Sequence, residues 1–331
     1  MKASLKKVLA VCFTVALMAS VLAGCSGSGD SASDKVYKIG ICQLVQHDAL
    51  DAATQGFQDA VVEKLGKDNV EFDLQNAGGD SNTCATITNQ FVADGDDLIM
   101  ANATPALQAA MTSTADIPIV ATSVTDFATA LEIKDWTGKS GINVTGTADL
   151  APLEQQAAMI KELFPNAKKV GILYCSAESN SKYQANVITE ELKKLQYEVN
   201  EYTVADTNQI ADVTKKAVGE VDVIYIPTDN TIASATAAVK EIVEPAKIPV
   251  VASEEGICKG CGVATLAISY YDLGHNAGEM AAKILAEGAD PAEMEIAYAS
   301  DLTKEFIKER MQALNITVPE DYEELDMTEA E

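Results

Sequence analysis

Histidine is almost absent: the 331 residues hold only 2, His47 and His275. That leaves little material for a histidine base or a histidine-rich metal centre. Positive charge is scarce too, with 24 Lys+Arg against 50 Asp+Glu and a formal net charge of −26. Nucleic acid demands a basic footprint, so it is not expected as a partner. Tryptophan occurs once, as Trp136 in a connection, where packing is its usual role. Catalytic signatures are missing as well. There is no Gly-x-Ser-x-Gly elbow, no phosphate loop, no dinucleotide glycine pattern after the first strand and no histidine pair at metal spacing. The chain is therefore not expected to be an enzyme, and no cofactor or metal is expected. Past the N-terminal segment, no apolar run is long enough to cross a bilayer.

What is present begins with an address. Lys2, Lys6 and Lys7 precede an uncharged run from Val8 to Leu22, which ends in Leu22-Ala23-Gly24-Cys25. The run is short for a membrane span and suits a secretory signal. Small residues before a cysteine resemble a bacterial lipoprotein signal. Residues 1–24 are expected to be removed and Cys25 to carry lipid. Residues 25–35, rich in Ser, Gly and Asp, would tether an extracytoplasmic body to the cell membrane. Cys42, Cys84, Cys175, Cys258 and Cys261 remain, an odd set that cannot pair completely within one chain. Cys258-Lys259-Gly260-Cys261 is read as a loop holding either a disulfide or two free thiols.

Beyond the tether, 47% apolar content and this length allow two domains with real cores. Val36–Val45, Val70–Leu74, Leu98–Ala103 and Ile117–Val124 read as strands alternating with helices at Leu50–Leu65, Thr83–Val92 and Thr104–Met111. The alternation resumes with helices at Ala151–Phe164, Lys182–Leu195, Ile210–Val218 and Thr231–Val243. Between them lie strands at Val170–Tyr174, Tyr197–Val204, Val221–Ile226 and Ile248–Ala252. Leu273–Glu287, Glu295–Ala299 and Lys304–Leu314 complete the chain. Near-continuous apolar strands alternating with helices mean parallel sheets covered on both faces. Asp97-Leu98-Ile99-Met100 leads through a helix to Ile117-Pro118-Ile119-Val120. Asp222-Val223-Ile224-Tyr225 leads likewise to Ile248-Pro249-Val250-Val251. The echo points to two similar α/β lobes.

Ligands of open parallel sheets bind beyond the carboxyl ends of the strands. Here those ends are polar: Gln43 to His47, Ala103-Thr104, Thr122-Ser123, Cys175 to Ser181, Thr228 to Asn230, and Ser253-Glu254. Helix N-termini and the hydroxyls of Thr104, Ser181 and Thr228 would suit a carboxylate. Glu178, Asp229 and Glu254 could hold an ammonium. The combination fits a zwitterion, although residues of these types at helix starts are also ordinary N-caps.

These segments resemble a known family. Gly40-Ile41-Cys42-Gln43 with His47-Asp48-Ala49-Leu50-Asp51, Gln75-Asn76-Ala77, Asn143 through Asp149, Gly171-Ile172-Leu173-Tyr174 with Glu178-Ser179-Asn180-Ser181, Pro227-Thr228-Asp229-Asn230, Glu254-Glu255-Gly256 and Tyr270-Tyr271-Asp272-Leu273-Gly274 occur in order. Together they are similar to substrate-binding lipoproteins of ABC transporters, the tryptophan/tyrosine-type group with the type I periplasmic-binding fold. The resemblance implies two doubly wound parallel-sheet lobes joined by a three-crossover hinge. Lobe one would comprise residues 36–143 and 271–297, and lobe two residues 144–270 and 298–331. It also implies a monomeric receptor that closes on an amino acid, most often aromatic, and delivers it to an ABC permease and its ATPase. Gln43, His47, Thr104 and Thr122 would form the first-lobe wall, and Glu178, Asn180, Ser181, Thr228 and Asp229 the second-lobe clamp, beside Asn230 and Glu254. Asp48, Cys175 and Phe127 depart from the family pattern, which bears on ligand identity more than on fold. A receptor or sensor of the same fold for another amino acid, a nucleoside or a sugar is the alternative.

Overall fold

Strands that are apolar along their whole length need cover on both faces, and helices supply it here. The computed structural model describes residues 35–299 and 302–327, so the signal segment and Cys25 lie outside the described residues. From Tyr37 onward the chain forms one unit with cores of its own. The first lobe runs β1 (Tyr37–Gln43), α1 (Asp48–Leu65), β2 (Val70–Asn76), α2 (Ser81–Asp94), β3 (Leu98–Asn102), α3 (Thr104–Ser113), β4 (Ile119–Val124), α4 (Phe127–Ala130) and β5 (Val144–Ala148). The second runs α5 (Leu153–Leu163), β6 (Lys169–Cys175), α6 (Ser179–Lys194), β7 (Glu198–Val204), α7 (Ile210–Val218), β8 (Val223–Ile226), α8 (Asn230–Ala233), α9 (Thr236–Ala246), β9 (Val250–Ala252), α10 (Glu255–Cys261) and β10 (Ala264–Ala267). Then α11 (Tyr270–Ala282) and β11 (Ala297–Tyr298) return to the first lobe. β12 (Thr303–Phe306), α12 (Lys308–Ala313) and β13 (Glu323–Glu324) finish the second.

The first sheet is parallel throughout, in the order β11-β5-β4-β3-β1-β2. The second has the order β13-β12-β10-β9-β8-β6-β7, with β12 antiparallel to β10. Stripped of the late strands, both sheets read fifth-fourth-third-first-second. The internal echo is thus a repeat of topology, and it extends to single bonds. Ile99 N–H donates to the Pro118 carbonyl at 3.0 Å, and Ile224 N–H to the Pro249 carbonyl at 3.0 Å. The chain passes between sheets three times: from β5 to α5, from β10 to α11 and from β11 to β12.

Several boundaries differ from expectation. β5 pairs with β4 in the register Ile119↔Val144, so the first sheet continues past residue 143 to Ala148. The return starts at Tyr270 because the Ser269 hydroxyl caps α11, accepting from Asp272 N–H at 3.1 Å. Helix α6 begins at Ser179 rather than Lys182, because Asn180 and Ser181 donate to the Thr228 carbonyl instead of facing solvent. Lys304–Leu314 divides into β12 and α12. The Cys258–Cys261 segment lies in helix α10, and both thiols are free and buried in the second lobe's core.

Lobe one is closed on one face by α11 lying against α1 at a separation only glycine permits. A Cβ on Gly274 would stand 1.9 Å from the Ala53 carbonyl oxygen, and one on Gly56 would stand 2.1 Å from that of Tyr271. Lobe two is fastened by its tail. Arg310 of α12 donates from Nη1 to the carbonyls of Cys258 (2.7 Å) and Gly262 (2.8 Å). Its Nη2 reaches those of Lys259 (2.8 Å) and Gly260 (3.1 Å). These carbonyls lie at the C-terminus of α10, where a cation is favoured, and that of Cys258 also accepts from Gly262 N–H at 2.9 Å. Arg310→Leu should cost about 3 kcal/mol, the order expected for losing charged hydrogen bonds to partly buried acceptors. Scanning calorimetry of the ligand-free protein should show the melting temperature fall by several degrees, and an unchanged melting temperature would remove the tail from the stability of this lobe.

Candidate functional site

The carboxyl ends of β1, β3 and β4 meet those of β6, β8 and β9 across one cleft, and the backbone is strained on the first-lobe side. Ala103 has φ 94° and ψ 157° at the end of β3, a conformation natural only to glycine. Ser123, at the end of β4, has φ 55°. Thr104 follows Ala103 and begins α3, whose N-terminus carries no side-chain cap. The hydroxyls of Thr104 and Ser123 are buried without a hydrogen-bond partner. Their neighbours are already engaged. Thr122 Oγ1 accepts from Thr147 Oγ1 at 2.8 Å. Gln43 ties the β1–α1 turn together, donating to the Val45 carbonyl (3.0 Å) and Asp51 Oδ1 (2.5 Å) while accepting from Thr54 (2.6 Å).

On the second lobe the carboxylates are held by the helix starts they cap. Asp229, 1% exposed, accepts from Cys175 N–H at 2.6 Å and Ile232 N–H at 2.8 Å. Glu254 accepts from Gly256 N–H at 2.7 Å and Ile257 N–H at 2.5 Å. Glu178 accepts from the side chain and N–H of Asn230 (2.6 and 3.2 Å), from those of Thr231 (2.7 and 2.8 Å) and from Asn180 Nδ2 (3.1 Å). The Thr228 carbonyl receives Asn180, Ser181 and Gln184, and its hydroxyl meets Ser253 Oγ at 3.1 Å. Asn180 Oδ1 is buried and unpartnered.

Among the described residues, side-chain hydrogen bonds reach across the cleft at two places. His47 Nε2 meets Asn230 Oδ1 at 3.3 Å, and Gln184 Nε2 donates to Thr125 Oγ1 at 3.2 Å. Between them the cleft keeps two spaces. A chamber of about 190 Å³ is walled by Leu44, Val45 and Pro105 on one side and by Cys175, Ala177 and Thr231 on the other. A cavity of about 10 Å³ lies between His47, Asp149, Thr228, Glu254 and Tyr270. Of the eleven residues expected at the site from sequence, His47, Glu178, Thr228, Asp229, Asn230 and Glu254 line these spaces, while Gln43, Thr104, Thr122, Asn180 and Ser181 line neither. Only His47, Thr104 and Asn180 among them retain a buried polar atom without a partner. Ser123, Asp149, Gln184 and Tyr270 were not among them. Ser123 stood on a named strand end, and Asp149 closed a quoted segment, but the crossover geometry that turns Asp149 inward is not a local signal. His275 stands apart, 3.5 Å from Glu63, and Trp136 packs on the first-lobe core. Among the described residues, no group of three or more His, Cys, Asp or Glu could hold a metal ion.

Residues 38–325 match the family model described as ABC transporter substrate binding protein. A tyrosine-binding protein from Clostridioides difficile (strain R20291) is 38% identical over 329 residues, spanning 94% of this chain and 95% of that protein. Among solved structures, an ABC domain from Streptococcus pneumoniae in complex with L-Trp is 36% identical with a TM-score of 0.83, covering 86% of this chain and 97% of that one. A ligand-free, open substrate-binding protein with adhesive properties from Clostridium difficile is 37% identical, but its TM-score is 0.68, over 88% of this chain and 100% of that one. Sequence identity is nearly equal in the two cases. The lobes here are thus arranged more like those of the liganded relative than those of the open one.

The cleft holds buried acids. Burial lifts Asp229 to about 7, helped by the neighbouring charge of Glu178, and lifts Glu254 to about 7 and Asp149 to about 6. A carboxyl whose pKa is raised on folding binds its proton more tightly in the folded state. Its contribution is complete below its unfolded pKa near 4 and is lost as pH rises through the folded value. Burial pushes His47 the other way, so it opposes the trend at acidic pH. A comparison of wild type with Glu254→Gln isolates one acid. The wild-type melting temperature should gain on that of the variant as pH is lowered from 8 to 5, and parallel curves would contradict a burial-raised Glu254.

Proposed function

The chain belongs to the family of ABC transporter substrate-binding proteins, and from that premise we propose that it captures a free aromatic α-amino acid between its lobes for delivery to an ABC permease and its ATPase. One observation carries the choice of ligand: the cleft holds a chamber with apolar residues on both sides among polar ones, and buried polar atoms without partners stand on the strand ends and helix starts that flank it. The Thr104 and Ser123 hydroxyls stand beside the uncapped N-terminus of α3, where free N–H groups and the helix dipole favour a carboxylate. Leu44, Val45, Pro105 and Ala177 offer the side chain an apolar wall. At about 190 Å³ the chamber is smaller than the 300–1,000 Å³ of drug-sized sites and suits one amino acid. The relatives that bind tyrosine and L-Trp support the aromatic class.

Gln43, Thr122, Ser181, Thr228, Asp229, Asn230 and Glu254 take a supporting part in this reading. Their bonds hold the strand ends and helix starts that present Thr104, Ser123, His47 and Asn180. Binding is then closure about the three crossovers. Titration calorimetry of the refolded, ligand-stripped protein against the twenty amino acids should find tyrosine, tryptophan or phenylalanine binding with Kd of about 1 μM or tighter, near −8 kcal/mol. Binding only of sugars or nucleosides would move the protein to the alternative reading.

The basic segment, apolar run and Cys25 further support an extracytoplasmic protein held on the membrane by lipid. Cys25→Ala should shift the protein from the membrane fraction to the soluble exported fraction. An unchanged distribution on fractionation would refute lipidation at this residue.

A further inference from the structure

The small cavity at the hinge has an uncommon chemistry. Asp149, Asp229 and Glu254 line it, and no Lys or Arg does. Its volume of about 10 Å³ is that of one water-sized group. Asp149 is 3% exposed. Its Oδ2 accepts from Tyr270 OH at 2.9 Å, while its Oδ1 is buried without a partner.

His47 supplies a second open acceptor, and its tautomer follows from its neighbour. Asn230 Nδ2 donates to Glu178 Oε2 at 2.6 Å, which turns Asn230 Oδ1 toward His47 Nε2 at 3.3 Å. That contact is a hydrogen bond only if Nε2 carries the hydrogen. Burial disfavours the imidazolium, so Nδ1 holds a lone pair, and it too is buried without a partner. The remaining wall offers no free donor. The Tyr270 hydroxyl is directed at Asp149, the Thr228 hydroxyl pairs with Ser253, and Glu254 already receives two N–H groups.

We infer that Asp149 Oδ1 and His47 Nδ1 form the seat for the primary ammonium of the bound amino acid, in the cavity between α1 and the crossovers. Asp149 thereby becomes a specificity-determining residue that separates free α-amino acids from their desamino and N-acyl analogues. The inference rests on the amino-acid reading above and refines it. The carboxylates of the second lobe, expected from sequence to hold the ammonium, already accept from the helix starts they cap. Asp149 lies beside the Thr125 hydroxyl as well as that of Tyr270, and of the three carboxylates that line this cavity it is the one with a buried oxygen lacking a hydrogen bond. Position adds a consequence: Asp149 follows β5 at the first crossover, and Tyr270 opens α11 at the second. An ammonium held there engages the hinge itself, so capture of the charge and lobe closure are one event.

The test uses paired probes, L-tyrosine with 3-(4-hydroxyphenyl)propionate and L-tryptophan with indole-3-propionate, titrated into wild type and Asp149→Asn. Wild type should prefer the amino acid of a pair by about 100-fold, the scale of a buried charged partner. Asp149→Asn should narrow that preference to roughly tenfold or less, through weaker binding of the amino acid while the desamino analogue is little changed. Circular dichroism checks the fold. Should the variant fail to fold, His47→Phe, which removes Nδ1, must show the same narrowing. An undiminished preference in the folded variant overturns the seat and leaves the amino-acid reading standing. Absence of any amino-acid binding by wild type overturns both.

Discussion

Buried hydrogen-bonding capacity governs this molecule, because each strand that enters the cleft ends in polar groups that leave water when the lobes meet. A carboxylate there is tolerable only when it finds donors. Asp229 and Glu254 find them in the first N–H groups of α8 and α10, and Glu178 finds them in Asn230, Thr231 and Asn180. Each acid satisfies a helix start that would otherwise be unpaired, so the caps and the acids stabilise one another. The second face of the cleft is consequently a wall of acids whose oxygens are already bonded.

The first face is built differently. Its helix α3 has an alanine before it, at a backbone angle that alanine does not favour, and the hydroxyls on either side are unpartnered. Strain and open hydrogen bonds persist only where surrounding packing enforces them, and they concentrate at sites that act on a ligand. Here the packing is that of β3 and β4, buried along their entire lengths. A wall whose carboxylates are already bonded thus faces a strained wall whose hydroxyls are not. That asymmetry is what a zwitterion would resolve on binding.

Much of this was legible without coordinates. The repeat Ile-Pro before β4 and β9 announced two lobes of one topology, and the sheets repeat the order of five strands. The polar strand ends named the cleft. Among the elements that escaped, β5 and β10 are short and follow glycine-containing or cysteine-containing stretches that break local periodicity. The Cys258–Cys261 segment read as a loop because two glycines flank the second thiol. Arg310, far along the chain, is what makes it a helix with a satisfied end.

The chain order of apolar runs, the helical periodicities and the strand-end polarity are local properties, so the sequence by itself determined the α/β class, the two lobes and the location of the cleft. Which polar atoms remain open was decided only by tertiary structure. His47 and Asn230 are 183 positions apart, as Tyr270 and Asp149 are 121. A side chain's hydrogen bonds depend on whatever folding brings beside it. Glu178, Asp229 and Asp149 are alike as acids in the sequence. Two of them are claimed by helix starts, and the third keeps an oxygen free because it sits where the chain passes between the lobes.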